Sequence, residues 1–141
     1  MRGVYIHIPF CRNICSYCDF CKMYYNKELS NIYLDYLEKE IDMYYEGDTV
    51  KTIYVGGGTP SSLDTDNLNK LFRIINKFKI SSDAEFTFEC NIDDINDELL
   101  TILKENHVSR ISIGVESFNK DKLKYLNRNH NKKEIFNNIS L

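Results

Sequence analysis

Four cysteines fall within eleven positions of "YIHIPFCRNICSYCDFCK", residues 5 to 22, directly behind a short run of β-branched and aromatic residues. A loop carrying Cys11, Cys15, Cys18 and Cys21 can serve as a disulfide staple, a zinc knuckle or the cradle of an iron–sulfur cluster. The CxxxCxxC spacing puts three thiolates on one short loop, where they can wrap one face of a cubane and leave its fourth iron open to an outside chelating group. Zinc would need a fourth tetrahedral ligand, either Cys21 or a distant residue, and Cys21 would equally close a cluster that only transfers electrons. Five cysteines in all is an odd number for staples. The apolar stretch from Tyr5 to Phe10 is too short for a signal-peptide core or a membrane span, so the sequence predicts a cytoplasmic protein with no transmembrane segment, where thiols stay reduced.

The rest of the chain alternates strands and helices. Residues 3 to 8 read as a first strand, and residues 28 to 46 carry Tyr33, Leu37, Ile41 and Tyr44 at helical spacing, with Gly47 as a stop. "KTIYV" (51 to 55) is a second strand running into "GGGTP", followed by a helix with Leu68, Leu71, Phe72, Ile75 and Phe78 on one side. "AEFTFEC" (84 to 90) is a third strand, and residues 97 to 105 form a helix with Leu99, Leu100 and Leu103 on one face. "SRISIGVESF" (109 to 118) is a fourth strand, and a last helical region starts in "NKDKLKYL" and resumes at Lys132. Four βα units predict parallel strands with crossover helices, either an open doubly wound sheet or part of a barrel. With 141 residues, 43% of them hydrophobic, one ordinary core can form, which excludes disorder. The net charge of -3 arises from interspersed acids and bases, with no basic block to follow a phosphate backbone, so nucleic acid is excluded as a partner.

The chemically unusual residues all follow strands. The cysteines come after the first, "GGGTP" after the second, Glu89, Cys90 and Asn91 at the end of the third, and Glu116 and Ser117 at the end of the fourth. Turns alone explain glycine, proline and serine at such places. They do not explain cysteines and carboxylates sharing the carboxyl-end rim on which parallel α/β proteins build ligand sites.

Taken in order, "YIHIPFCRNICSYCDF", "GGGTPS", Glu89, "RISIGVESF" and "LNRNH" resemble the motifs of radical S-adenosylmethionine enzymes across nearly the whole chain. In detail they are similar to the oxygen-independent coproporphyrinogen III oxidase-like family, which includes the haem chaperone HemW branch. The resemblance implies a partial (β/α) barrel and a [4Fe-4S] cluster held by Cys11, Cys15 and Cys18. It also implies S-adenosylmethionine chelating the open iron, and an electron donor of flavodoxin or ferredoxin type whose electron cleaves the sulfonium to a 5′-deoxyadenosyl radical. Gly57, Gly58 and Thr59, after Gly56, would let backbone approach the cofactor amino group. Glu89 would accept hydrogen bonds from the ribose hydroxyls, Arg128 would pair with a ligand carboxylate, and Tyr5, Tyr17 and Glu116 would complete the contacts. Tyr17 would shield the cluster or touch a second ligand, and His7 is either an interior histidine or functional.

Three positions depart from the family pattern. Glu116 stands where glutamine is expected, Asn127 where glycine is expected, and no proline follows Asn91. The spacing between Cys18 and Cys21 and the form "CDF" favour the haem chaperone branch over the decarboxylating oxidase, so haem or a porphyrinogen is the implied partner. That pattern leaves open whether the protein is a catalyst or a carrier. The family expectation is six βα units; four are present, which predicts that residues 1 to 141 are the N-terminal portion of the core domain and that "SRISIGV" forms an apolar sheet edge prone to association.

Overall fold

The computed structural model describes residues 2–128 and 130–140. Four parallel strands, β1 (Arg2–Ile8), β4 (Val50–Gly57), β5 (Ile80–Asn91) and β6 (Arg110–Gly114), form one sheet in the order β1-β4-β5-β6. Two short strands, β2 (Phe10–Cys11) and β3 (Met23–Tyr24), pair in parallel across the cysteine loop. Neighbours in the sheet are neighbours in the chain, apart from that clasp. A doubly wound sheet would reverse its order partway, whereas right-handed crossovers between successive neighbours put every helix on the same face, as in a barrel wall.

Helices α1 (Lys27–Tyr44), α2 (Thr65–Ile75) and α3 (Asp97–Glu105) start at Asn26, Asp64 and Asn96. Each of these side chains accepts a backbone N–H at 2.9 Å that the first helical turn leaves unpaired. Leu34, Leu37 and Ile41 of α1, Leu71 and Phe72 of α2, and Leu99, Ile102 and Leu103 of α3 pack with Ile6, Ile8, Ile53, Val55, Phe86 and Phe88 of the sheet in one core. The stripe on α1 differs from the sequence expectation: Tyr44 is 73% exposed, and Leu34 and Ser30 take the buried positions. Tyr33 is half-buried because its hydroxyl donates to the His7 carbonyl at 2.6 Å.

Paired residues share a sheet face, so Tyr5, Tyr54 and Thr87 lie together, as do Glu89 and Ser112, opposite the apolar set. The third strand therefore does not place Glu89 among apolar neighbours. Its apolar residues Phe86, Phe88 and Cys90 face the helices, while Thr87, Glu89 and Asn91 face the other way. β5 also begins earlier than expected, because Ser81, Ser82 and Asp83 hide a strand start in polar residues. β6 is shorter than expected: Glu116 sits at φ 63, a left-handed conformation that ends an extended run. After it come α4 (Lys120–Tyr125), ended by Asn127 at φ 56, and α5 (Lys132–Ile139), which opens with a capping box between Asn131 and Glu134. In the "LNRNH" motif, Asn129 lies outside the described residues.

Candidate functional site

The cysteine loop is closed at its base by backbone bonds. Met23 N donates to the Pro9 carbonyl at 2.7 Å and Tyr25 N to the Cys11 carbonyl at 2.9 Å. From the next βα loop, Gly58 N donates to Ile8 O at 2.9 Å and Thr59 N to Phe10 O at 2.8 Å, and the Ser62 hydroxyl bonds the same Phe10 carbonyl at 3.0 Å. A side-chain strut adds to these. Arg12 donates to Ser62 O at 3.2 Å and lies 3.5 Å from Asp94, and Ser61 bridges Asp94 at 2.7 Å and Asn91 N at 3.0 Å. Three of the four βα loops are thereby fixed to one another beside the first cysteine.

All five cysteines are free, so the staple reading has no support in the structure. Cys11 is buried and Cys15 and Cys18 half-buried, and all three line one cavity of about 240 Å³. Burial pushes the Cys11 thiol above its ordinary value, while the Thr59 hydroxyl, 3.5 Å from Cys11 Sγ, pulls it back. Cys21 is exposed and is not part of that wall; its carbonyl instead contacts His7 Nε2 at 2.9 Å. Cys90 also borders the cavity, but burial, followed by the nearby Asp94 charge, pushes its thiol up to about 12, so it is inert as a nucleophile.

Gly57, Gly58 and Thr59 line the same cavity, and the space a side chain on either glycine would take is occupied by protein. A Cβ on Gly58 would lie 2.9 Å from Cys11 Sγ, and one on Gly56 would lie 2.8 Å from Glu89 Oε2. Gly57 has φ 120, and a Cβ on it would lie 2.7 Å from the His7 ring. The three glycines thus let the second βα loop pass between the cysteine loop and Glu89, a tighter requirement than access for a ligand.

Glu89 is held on the cavity wall from two sides. Tyr54 donates its hydroxyl to Oε1 at 2.5 Å and Gly57 N donates to Oε2 at 3.2 Å. The Glu89 carboxylate, with burial adding, holds the Tyr54 phenol above its ordinary value, so Tyr54 remains a donor.

Opposite stands Arg128. Its Nε donates to the Tyr17 hydroxyl at 3.1 Å, Nη1 to Asn91 Oδ1 at 2.8 Å and Nη2 to Glu116 Oε1 at 3.0 Å. Asn127 Nδ2 donates to the Ile14 carbonyl at 3.2 Å, so the connection after α4 docks on the cysteine loop. Burial pushes the Tyr17 hydroxyl up to about 12, against the pull of Arg128.

Of the residues the sequence singled out, Cys11, Cys15, Cys18, Tyr17, Gly57, Gly58, Thr59, Glu89, Glu116 and Arg128 share this one cavity. Tyr5 does not. Its ring lies 6.1 Å from Tyr54 and its hydroxyl 2.9 Å from His7 Nδ1, a layer behind the wall. Tyr54, Ser112 and Lys22 were missed, and Asn91 was placed on the rim without a contact assigned to it. Strand alternation could have put Asn91 and Ser112 on the cavity wall, since each shares a face with Glu89; Lys22 carries no sequence signal, although its amine bonds the Cys18 carbonyl.

Among the described residues, no three His, Cys, Asp or Glu side chains converge on a single ion position. Three separate thiols on one short loop, set around one cavity, fit the donor set of a cubane, in which each thiolate takes its own iron. Arg128, Lys22, Glu89 and Glu116 give the remaining wall both signs of charge, the complement of a zwitterionic ligand with hydroxyl groups.

The family profile of the Radical SAM superfamily matches residues 5–141. The heme chaperone HemW of Bacillus subtilis is 45% identical over 141 residues, covering 96% of this chain and 37% of that protein. The oxygen-independent coproporphyrinogen III oxidase of Escherichia coli is 32% identical over 139 residues, covering 95% of this chain and 30% of that one. The solved structure of the Escherichia coli oxidase HemN, described as a radical SAM enzyme, superposes with a TM-score of 0.89 at 31% identity, over 96% of this chain and 32% of that chain. The chain thus spans about a third of the length of the proteins it matches. Among the described residues, no helix is long and apolar enough to cross a membrane.

Proposed function

The chain belongs to the radical SAM superfamily, and on that premise we propose that its cavity takes a [4Fe-4S] cluster on Cys11, Cys15 and Cys18 with S-adenosylmethionine beside it, in a cytoplasmic protein that binds and delivers haem. The observation that carries this reading is that the three thiols, the glycine loop, Glu89 and Arg128, contributed by four successive βα units, line one cavity. When bound, the cluster supplies the electron for cleaving the sulfonium, delivered by a donor of flavodoxin or ferredoxin type. The protein's own part is orientation. Glu89, aimed by Tyr54 and Gly57 N, accepts from the ribose hydroxyls. Arg128 pairs with the carboxylate of the methionine moiety, and the backbone of Gly57 and Gly58 borders its amino group. Tyr17, tied to Arg128, covers the cluster side, and Tyr5 supports Tyr54 from behind.

Haem handling is favoured over porphyrinogen decarboxylation by the 45% identity to a haem chaperone, against 32% to the oxidase. Titrating the reconstituted protein with haem, beside an anaerobic assay for 5′-deoxyadenosine and decarboxylated porphyrin, separates the two. Saturable haem binding without decarboxylated product is the expected result. Decarboxylation at catalytic turnover would make the protein an oxidase.

Removing the Tyr54 hydroxyl tests how Glu89 is aimed. Tyr54→Phe leaves Oε1 without its donor, and the carboxylate then swings toward solvent. S-adenosylmethionine binding is expected to weaken by about threefold to tenfold, the scale of one hydrogen bond. Unchanged affinity by calorimetry would show that Gly57 N alone orients Glu89.

A further inference from the structure

Arg128 carries more than its position requires. Tyr17 at 3.1 Å and Asn91 at 2.8 Å already hold the guanidinium from two sides, and only the third partner, Glu116 at 3.0 Å, is an anion. The two halves of that ion pair are unequal. The Arg128 side chain is 13% exposed and pinned, whereas that of Glu116 is 33% exposed and, among the described residues, has no other hydrogen-bonding or ion-pairing partner. Glu116 also occupies a left-handed backbone at φ 63, which a non-glycine residue adopts only at a cost. Gly114 opposite leaves room for the pair: a Cβ there would lie 3.1 Å from Arg128 Nη2 and 3.4 Å from Glu116 Oε1.

We infer that Glu116 is an internal anion that pairs with Arg128 and must be displaced by the incoming cofactor carboxylate, so that Glu116 sets how tightly the cofactor binds. This rests on the cofactor reading of the cavity given above. Displacement runs toward Glu116 because its carboxylate can turn out into water while the half-buried guanidinium stays between Tyr17 and Asn91. The ligand carboxylate then exchanges one charge-assisted hydrogen bond for another, and its net gain is reduced by the bond it breaks. Glu116 is therefore an affinity-determining residue that opposes binding, and its removal has the opposite sign from that of an ordinary contact.

The test is calorimetric titration of anaerobically reconstituted protein with S-adenosylmethionine and with its decarboxylated counterpart, for wild type and Glu116→Gln. The expected result is binding of S-adenosylmethionine on the order of five- to tenfold tighter in the variant, with the decarboxylated ligand unaffected, since only a carboxylate competes for Arg128. Glu116→Gly, which suits the left-handed backbone and also lacks the anion, should tighten binding in the same sense and guards against a folding defect of the first variant. Equal or weaker S-adenosylmethionine binding in both variants would overturn the inference and make Glu116 a support for Arg128. Tightening of both ligands alike would overturn it too. If wild type and variants all fail to bind either ligand, the cofactor reading itself falls, and the inference with it.

Discussion

Anaerobic reconstitution of Cys11→Ala, Cys15→Ala or Cys18→Ala is expected to yield protein with almost no iron or acid-labile sulfide, while Cys21→Ala loads like the wild type. A cubane on three thiolates has no ligand to spare, and one left on two is readily lost to solvent. The asymmetry among the four cysteines is structural. Cys11, Cys15 and Cys18 border the cavity, and Cys21 is exposed outside its wall. Its backbone is held instead by His7 Nε2 at 2.9 Å, a contact that the alanine variant keeps. Iron and sulfide analysis with visible absorption reads the result directly. One equivalent of zinc without sulfide would discard the cluster, and complete loss in Cys21→Ala would mean a closed four-thiolate site with no open iron for a cofactor.

Gly58→Val is expected to be the most damaging change outside the cysteines. Its Cβ would meet Cys11 Sγ, Phe10 O and Pro9 C, each at 2.9 Å, and the last two are backbone atoms anchored in the sheet and its clasp. Overpacking against so fixed a wall costs about 1–3 kcal/mol. The softer neighbour yields, and that neighbour is a cluster ligand. Thermal unfolding should show a lowered midpoint and reconstitution a strongly reduced iron content, with Gly58→Ala intermediate. Gly57→Val should also destabilise, through its φ of 120 and the His7 ring, but leave the cysteine loop in place. Wild-type iron content in Gly58→Val would show that the second βα loop can shift without moving Cys11.

Much of the site was readable from spacing because its parts are local. The cysteine motif, the glycine run and the strand-end Glu89 each declare themselves within a few residues, and successive βα units place strand ends on one rim. The reasons behind those residues were not local. Gly58 reads as an approach for a ligand until the sheet brings Cys11 against it across 47 positions of chain, and Gly57 until His7 does the same. Tyr54 looks like an ordinary strand aromatic, since nothing near it in sequence reveals that Glu89 lies within 2.5 Å. Tyr44 fitted a helical stripe by spacing but is exposed, because the sheet meets α1 along Leu34, Leu37 and Ile41. The shortened fourth strand depended on the backbone turn at Glu116, which no propensity for that residue announces.

The clasp between β2 and β3 bears on how the site is assembled. Residues 12 to 22 leave and re-enter the fold at adjacent points, with Phe10 opposite Met23 and Cys11 opposite Tyr24. Closing a loop of this size and fixing its backbone costs roughly 1–2 kcal/mol of conformational entropy per residue ordered, a cost that a metal centre meets alone when it must organise an open chain. In this protein the sheet and the Lys22 bond to the Cys18 carbonyl meet part of that cost before any iron arrives. Iron binding can then go largely into the bonds that hold the cluster, and cluster loss need not unfold the domain. Apo protein should accordingly still unfold in a cooperative transition, with the loaded protein melting higher, in contrast to small zinc domains whose fold exists only with metal.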